Sequence, residues 1–238
     1  MNTIMEQEND FYNENEFAGE SPVNYEQKCP CVLVIDTSYS MYGAPINELN
    51  EGLKLFQEQV LKDITAASRL EISVITFDSS VKVVQNFALL DSFDMPALFV
   101  EGTTKLVDGV KVAIQKVKAR KDYYKETHQK YYRPYVILVT DGAPDPDQDI
   151  DELKEEIIQG ELGKHFVFWA FGVEQADMNM LKYISNQFPP KYIKGTDFST
   201  FFKWLSSSMT TISKSKVGDK IDLRPKKEED PFASFDIN

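Results

Sequence analysis

Histidine and cysteine are scarce in this sequence, with two of each among 238 residues. Cys29 and Cys31 flank Pro30 with no second cysteine pair and no histidine nearby, so they cannot complete a tetrahedral zinc shell or a disulfide framework. Reduced thiols packed at the start of the first strand are the expected role, with a redox pair as the sharper alternative. His128 and His165 lie away from the motif loops described below, so no Ser-His-Asp arrangement is visible. Positive charge is also short. Against 38 Asp and Glu there are 26 Lys and Arg, a net charge of −12, and no basic stripe interleaved with aromatics offsets it. Such a surface repels a phosphate backbone, which excludes nucleic acid as the expected partner. No stretch reaches the run of about 18 apolar residues that a membrane span requires. The opening residues "MNTIMEQEND" lack the basic and apolar regions of a signal peptide. A cytoplasmic protein without a membrane partner is the expectation.

Apolar and aromatic residues are plentiful, at 42% and 12%, enough for a well-filled core. They are unevenly spread. Residues 1–28 are rich in Glu and Asn and poor in aliphatics, which reads as an acidic flexible or loosely docked arm. Residues 214–238 pass from basic to acidic and end on Phe232 and Phe235, which reads as a linker and acidic tail. Between them, 29–213 alternates strands with helices. "VLVID", "YVILVT" and "HFVFWAFGV" are continuous apolar runs, the pattern of parallel strands covered on both faces. "LEISVITF" and "VKVVQNF", separated by a short turn, read as an antiparallel hairpin at a sheet edge. Ile46, Leu49, Leu53, Phe56 and Val60 mark one helix, with Pro45 in its first turn, and Leu106, Val110, Ala113, Ile114 and Val117 mark another. Further helices are expected near 150–159, 177–185 and 198–212. The fold class is therefore α/β: a doubly wound, mostly parallel sheet with helices on both faces and one antiparallel edge strand.

In such sheets the ligand site lies beyond the carboxyl ends of the strands, where the strand order reverses. Asp36 directly follows the first buried strand, and Asp141 follows "YVILVT" in the same way. Two converging carboxylates repel each other and call for a cation between them. Ser38 and Ser40 leave the first strand in "DTSYS", and Thr104 stands just before a helix in "EGTTK". Oxygen donors without sulfur or imidazole favour a hard cation, and the small formal charge suits Mg²⁺, with Mn²⁺ or Ca²⁺ as alternatives. Taken singly, these residues are ordinary turn and capping residues. Their order and their placement at strand ends argue for a metal site.

"DTSYS", Thr104 and "TDG" at Asp141 resemble the metal-ion-dependent adhesion site of von Willebrand factor A domains. The longer runs "CPCVLVIDTSYSMYGAPINELNEGL", "YYRPYVILVTDGAPDP" and "FFKWLSSSMTTISKSKVGD" are similar to the bacterial TerY-like branch, associated with tellurite resistance and stress. The resemblance implies that Ser38 and Ser40 bind the metal directly, Thr104 directly or through water, and Asp36 and Asp141 through water. It also implies that a partner protein completes the shell with a Glu or Asp, and that the domain binds without catalysing. Two positions depart from the family pattern. Tyr39 replaces the usual glycine between the serines, putting an aromatic beside the metal that would either narrow access to it or enlarge the face that contacts the partner. Gly102-Thr103-Thr104 replaces Gly-Gly-Thr, leaving Thr103 as an alternative ligand.

Rival readings are a Mg²⁺-dependent phosphoryl-transfer enzyme and a passive scaffold acting through its tails. The first lacks a second acid two residues after Asp36 and any phosphate-binding glycine loop. The acidic loop "DPDQDID" lacks the glycine and terminal Glu of an EF-hand, and "KVKARK" reads as the wet face of a helix. The tail, with Phe232 and Phe235 among acids, reads first as disordered chain, since terminal segments fray; the alternative is docking on a partner or on a second copy, giving self-association.

Overall fold

The computed structural model describes residues 16–17, 19–216, 219–225 and 230–233. In chain order the strands are β1 (Cys29–Asp36), β2 (Leu70–Phe77), β3 (Val81–Leu89), β4 (Tyr135–Thr140), β5 (Val167–Gly172), β6 (Lys191–Ile193) and β7 (Phe232–Ala233). The helices are α1 (Ala44–Leu61), α2 (Ile64–Arg69), α3 (Leu106–Glu126), α4 (Ile150–Leu162), α5 (Met178–Ile184) and α6 (Phe198–Lys214).

Every residue of β1 is buried. Cys31, Leu33 and Ile35 join a core with α1, α2 and α6, while Val32 and Val34 join a second core with α3, α4 and α5. A strand covered on both faces has no polar side, hence its unbroken apolar sequence. Aspartates cap four of the helices: Asp63, Asp149, Asp177 and Asp197 accept from backbone N–H groups of the first turn. Pro45 stands in the first turn of α1, where a missing N–H costs nothing. Gly52 lets α1 and α6 touch, since a Cβ there would lie 2.4 Å from the Phe202 ring.

The strand order is β3-β2-β1-β4-β5-β6-β7, with parallel pairing throughout except at the two edges. The chain builds outward from β1 in one direction, then returns to β4 and builds in the other. The reversal therefore lies between β1 and β4, so Asp36 and Asp141 emerge at its crevice.

Parts of both regions outside the alternating pattern pack against it, which for the arm is the docked alternative of the sequence reading. The described part of the N-terminal arm is docked. Phe17 is buried against the Tyr123 ring and under the Arg120 guanidinium, Glu16 pairs with Lys116, and Glu20 pairs with Arg120 at 3.2 Å. Arg120 in turn grips the buried Glu71 through two bonds of 2.9 and 3.0 Å, and the Tyr124 hydroxyl donates to the same carboxylate. The run "KVKARK" is thus no wet face: Lys116 and Arg120 point inward beneath the arm, while Lys118 is exposed. A basic side chain can be buried when an acid from elsewhere meets it, and here Glu16, Glu20 and Glu71 do so.

At the other end Phe232 is not free. It pairs opposite Ile193 in β7, adding a second antiparallel edge strand, and its ring lies 4.9 Å from Trp204 and 5.8 Å from Phe171. Trp204 also donates its indole N–H to the carbonyl of Leu223. Phe235 lies outside the described residues. A free tail could be removed after Lys227 with a change in melting temperature of only about 2 °C. The packing gives a different expectation. Truncating a half-buried phenylalanine costs about 2 kcal/mol, and at this chain length each kcal/mol moves the melting temperature by about 2–4 °C. Phe232→Ala should therefore melt about 4–8 °C lower, and thermal unfolding by circular dichroism checks it.

Candidate metal centre

Asp36 ends β1 fully buried, and its Oδ1 accepts the Ser38 N–H at 2.8 Å, so the carboxylate folds the chain back over itself. Ser38 is extended, and Tyr39–Met41 then form a 3₁₀ turn with Met41 buried beneath it. The turn brings the Ser38 and Ser40 hydroxyls within 3.0 Å of each other, while Tyr39 between them is 70% exposed. Ser40 donates to Asp141 Oδ1 at 2.7 Å across the β1–β4 crevice. Thr140, the last residue of β4, donates to Asp36 Oδ2 at 2.5 Å.

The Thr104 loop is laced to the first motif through backbone. The Tyr39 N–H reaches the Gly102 carbonyl at 3.0 Å, and the Glu101 N–H reaches the Thr37 carbonyl at 2.9 Å. Thr104 donates its own N–H to Asp145 and accepts from the N–H of that residue. Its Oγ1 lies 3.9 Å from the position a Cβ would take on Gly142, so it stands beside the Asp141-Gly142 turn. Thr103 is exposed, and its N–H is bound to Ser79. Gly102 has φ +64° and would drive a Cβ to 1.8 Å from the Ser79 hydroxyl, so only glycine fits this bend. All five sequence-predicted ligand residues therefore lie in three adjoining loops.

Electrostatics sharpen the picture. Burial pushes the Asp36 carboxyl up to about 6, against the opposing hydrogen bonds from Ser38 and Thr140, and the Asp141 charge adds to the rise. Burial also raises Asp141, despite the Ser40 hydroxyl, with Glu174 contributing further. Two buried, mutually repelling carboxylates and two converging hydroxyls form an oxygen-only donor set, which fits a hard divalent cation. Ser38, Ser40 and Thr104 would hold it, with Asp36 and Asp141 behind them. Bound there, the cation would act as a Lewis acid toward an incoming carboxylate. Among the described residues no cluster of three or more His, Cys, Asp or Glu side chains is present, so a cation held here would need the hydroxyls as donors.

Three neighbours were not anticipated from the sequence. Thr140 orients Asp36, Asp145 fixes the backbone of Thr104, and Thr37 donates to the Phe77 carbonyl, tying the motif to β2. Thr37 and Thr140, each next to a motif aspartate in sequence, were the local signals among them.

A pH dependence follows. Asp36 keeps its proton in the fold up to about pH 6 and loses it near 3.8 when unfolded. Between those values the unfolded chain binds fewer protons, so metal-free stability falls as pH rises through the window. A displacement of about two pH units is worth about 3 kcal/mol. Chelated wild type should therefore lose that much relative to Asp36→Asn between pH 4 and 7, as read from urea unfolding.

No curated protein matches the chain in sequence. Among solved structures it resembles the ArnB paralog VWA2 from Sulfolobus acidocaldarius, with a TM-score of 0.53, 16% identity, and 78% of this chain aligned to 46% of that one. Proximal thread matrix protein 1 from the mussel byssus, in a form with a zinc-occupied MIDAS motif, gives 0.54 and 18% identity over 77% of this chain and 48% of its own. The vWF domain of the pili tip protein Mfa5 from Porphyromonas gingivalis gives 0.56 and 11% identity over 81% and 98%. The chain thus spans about half the length of the first two. At these identities the likeness is one of fold. The model of the von Willebrand factor type A domain matches residues 31–204, nearly the whole alternating region with its three motif loops, and the chain belongs to that family.

Proposed function

We propose that this chain is a metal-dependent protein-interaction module that binds a carboxylate of a partner protein through Mg²⁺ at its adhesion site. The observation that carries the reading is the bond from Ser40 to Asp141, 101 residues apart in sequence, which joins the loops of β1 and β4 around a shared donor set. Domains of this family often mediate metal-dependent interactions in this way, and a relative carries zinc at the corresponding motif. A metal neutralised by only two distant carboxylates remains electrophilic, so a Glu or Asp from outside is the natural completion. Tyr39, exposed beside the serines, would lie against the same partner.

The reading extends to a cytoplasmic role in a bacterial stress or defence system of the TerY-like type, without enzymatic activity. The quoted sequence runs support that branch, and the placement of His128 and His165 outside the motif loops supports binding over catalysis. No described helix is long and apolar enough to cross a membrane. The test is capture of partners by the full chain in Mg²⁺ and in chelator, compared with the Ser38→Ala, Ser40→Ala double variant. Capture that is lost in chelator and in the variant supports the reading, and capture indifferent to both overturns it.

A further inference from the structure

The metal centre and the loops around it stay negative with one divalent cation bound, because Asp36, Asp141, Glu101, Asp145, Asp147 and Glu174 are set against two lysines. Glu101 and Thr104's partner Asp145 belong to the loops that build the site, and Asp147 follows two residues later. Glu174 lies two residues beyond β5, whose Gly172 pairs with Thr140, so it flanks Asp141. Two lysines reach these loops, Lys82 from the start of β3 and Lys105 from just before α3, and each is already bound: Lys82 to Glu101 at 2.8 Å and Lys105 to Asp147 at 2.5 Å. A partner offering a stretch of acids would meet repulsion from Asp145 and Glu174 beside the metal.

Beside this rim stands an aromatic pair. The rings of Tyr39 and Tyr42 are stacked with centroids 5.8 Å apart and an interplanar angle of 8°, and the residues are 70% and 71% exposed. Single exposed aromatics are ordinary. Two stacked against each other at the ends of the turn that carries Ser40 form a flat, electron-rich surface adjoining the metal. Such a face attracts a guanidinium or ammonium group.

Resting on the metal-dependent reading above, we infer that the partner presents a single carboxylate flanked by arginine or lysine. The carboxylate meets the metal, and a neighbouring cation lies on the Tyr39–Tyr42 pair within the acidic rim. Charge complementarity on both sides of the metal selects this partner over an acidic tract, which carries the same ligand group in the wrong surroundings.

A phage-displayed library of random peptides, panned on the full chain in Mg²⁺ and eluted with chelator, tests it. The expected clones contain Glu or Asp with Arg or Lys at neighbouring positions, enriched about threefold or more over the naive library, the scale of an exposed cation–π contact. The same panning on the Tyr39→Ala, Tyr42→Ala double variant should keep the acid and lose much of the basic enrichment. Retention of the Mg²⁺-induced rise in melting temperature shows that the metal centre of that variant is formed. Chelator-eluted acidic clones with neutral, aromatic or acidic neighbours would overturn the inference and leave the metal-dependent reading standing. Absence of chelator-eluted acidic clones would overturn both.

Discussion

Arg120→Met is expected to destabilise the protein by about 3–5 kcal/mol, the cost of breaking a buried ion pair from one side. Glu71 is 3% exposed, and Arg120 supplies two of its hydrogen bonds. Without the guanidinium, the carboxylate keeps the Tyr124 hydroxyl but loses its charge partner inside the fold. The same change removes the cation under which Phe17 packs and the partner of Glu20, so the N-terminal arm should become sensitive to protease together with the loss of stability. Adding Glu71→Gln should recover part of the loss, because an amide buried beside Tyr124 costs less than an unpaired charge. Urea unfolding of the two single variants and the double variant measures the coupling. A loss below about 1 kcal/mol for Arg120→Met would place the pair in effectively aqueous surroundings.

At Mg²⁺ about 100 times its dissociation constant, the wild type should gain about 2.7 kcal/mol, because the cation binds only the native site. Asp36→Asn should erase that gain. The substitution removes one of the two facing charges while keeping an oxygen that can accept the Ser38 N–H, so the loops should stay folded. In chelator at pH 7 the variant should therefore be at least as stable as the wild type, which holds a desolvated carboxylate against Asp141. This opposite sign in the two buffers separates a lost ligand from a damaged fold. An equal Mg²⁺ gain in wild type and Asp36→Asn would remove Asp36 from the metal centre.

Much of the fold could be read without coordinates because its signals are local. A strand covered on both faces is a continuous apolar run, and a helix packed on one side shows a spacing of three and four, as in Ile46, Leu49, Leu53 and Phe56. The order of strands and helices then places the strand ends, and with them Asp36, Ser38, Ser40, Thr104 and Asp141, at one end of the sheet. Periodicity cannot say which side of β1 faces which helices. It leaves Val32 and Leu33 equivalent, although they belong to different cores.

Segments without a period of their own were decided by what they meet. The arm around Phe17 and the strand at Phe232 have few apolar residues, so composition alone does not decide between docked and solvated chain. Their order comes from partners distant in sequence: Arg120 and Tyr123 for Phe17, Trp204 and Phe171 for Phe232. The inward turn of Lys116 and Arg120 has the same origin, since a cation is buried only where acids from other segments await it. In the metal centre the sequence determined which oxygens were available. Only the tertiary structure brought Ser40 against Asp141 and Thr140 against Asp36, because a hydrogen bond depends on distance in space, and these partners are separated by 101 and 104 residues along the chain.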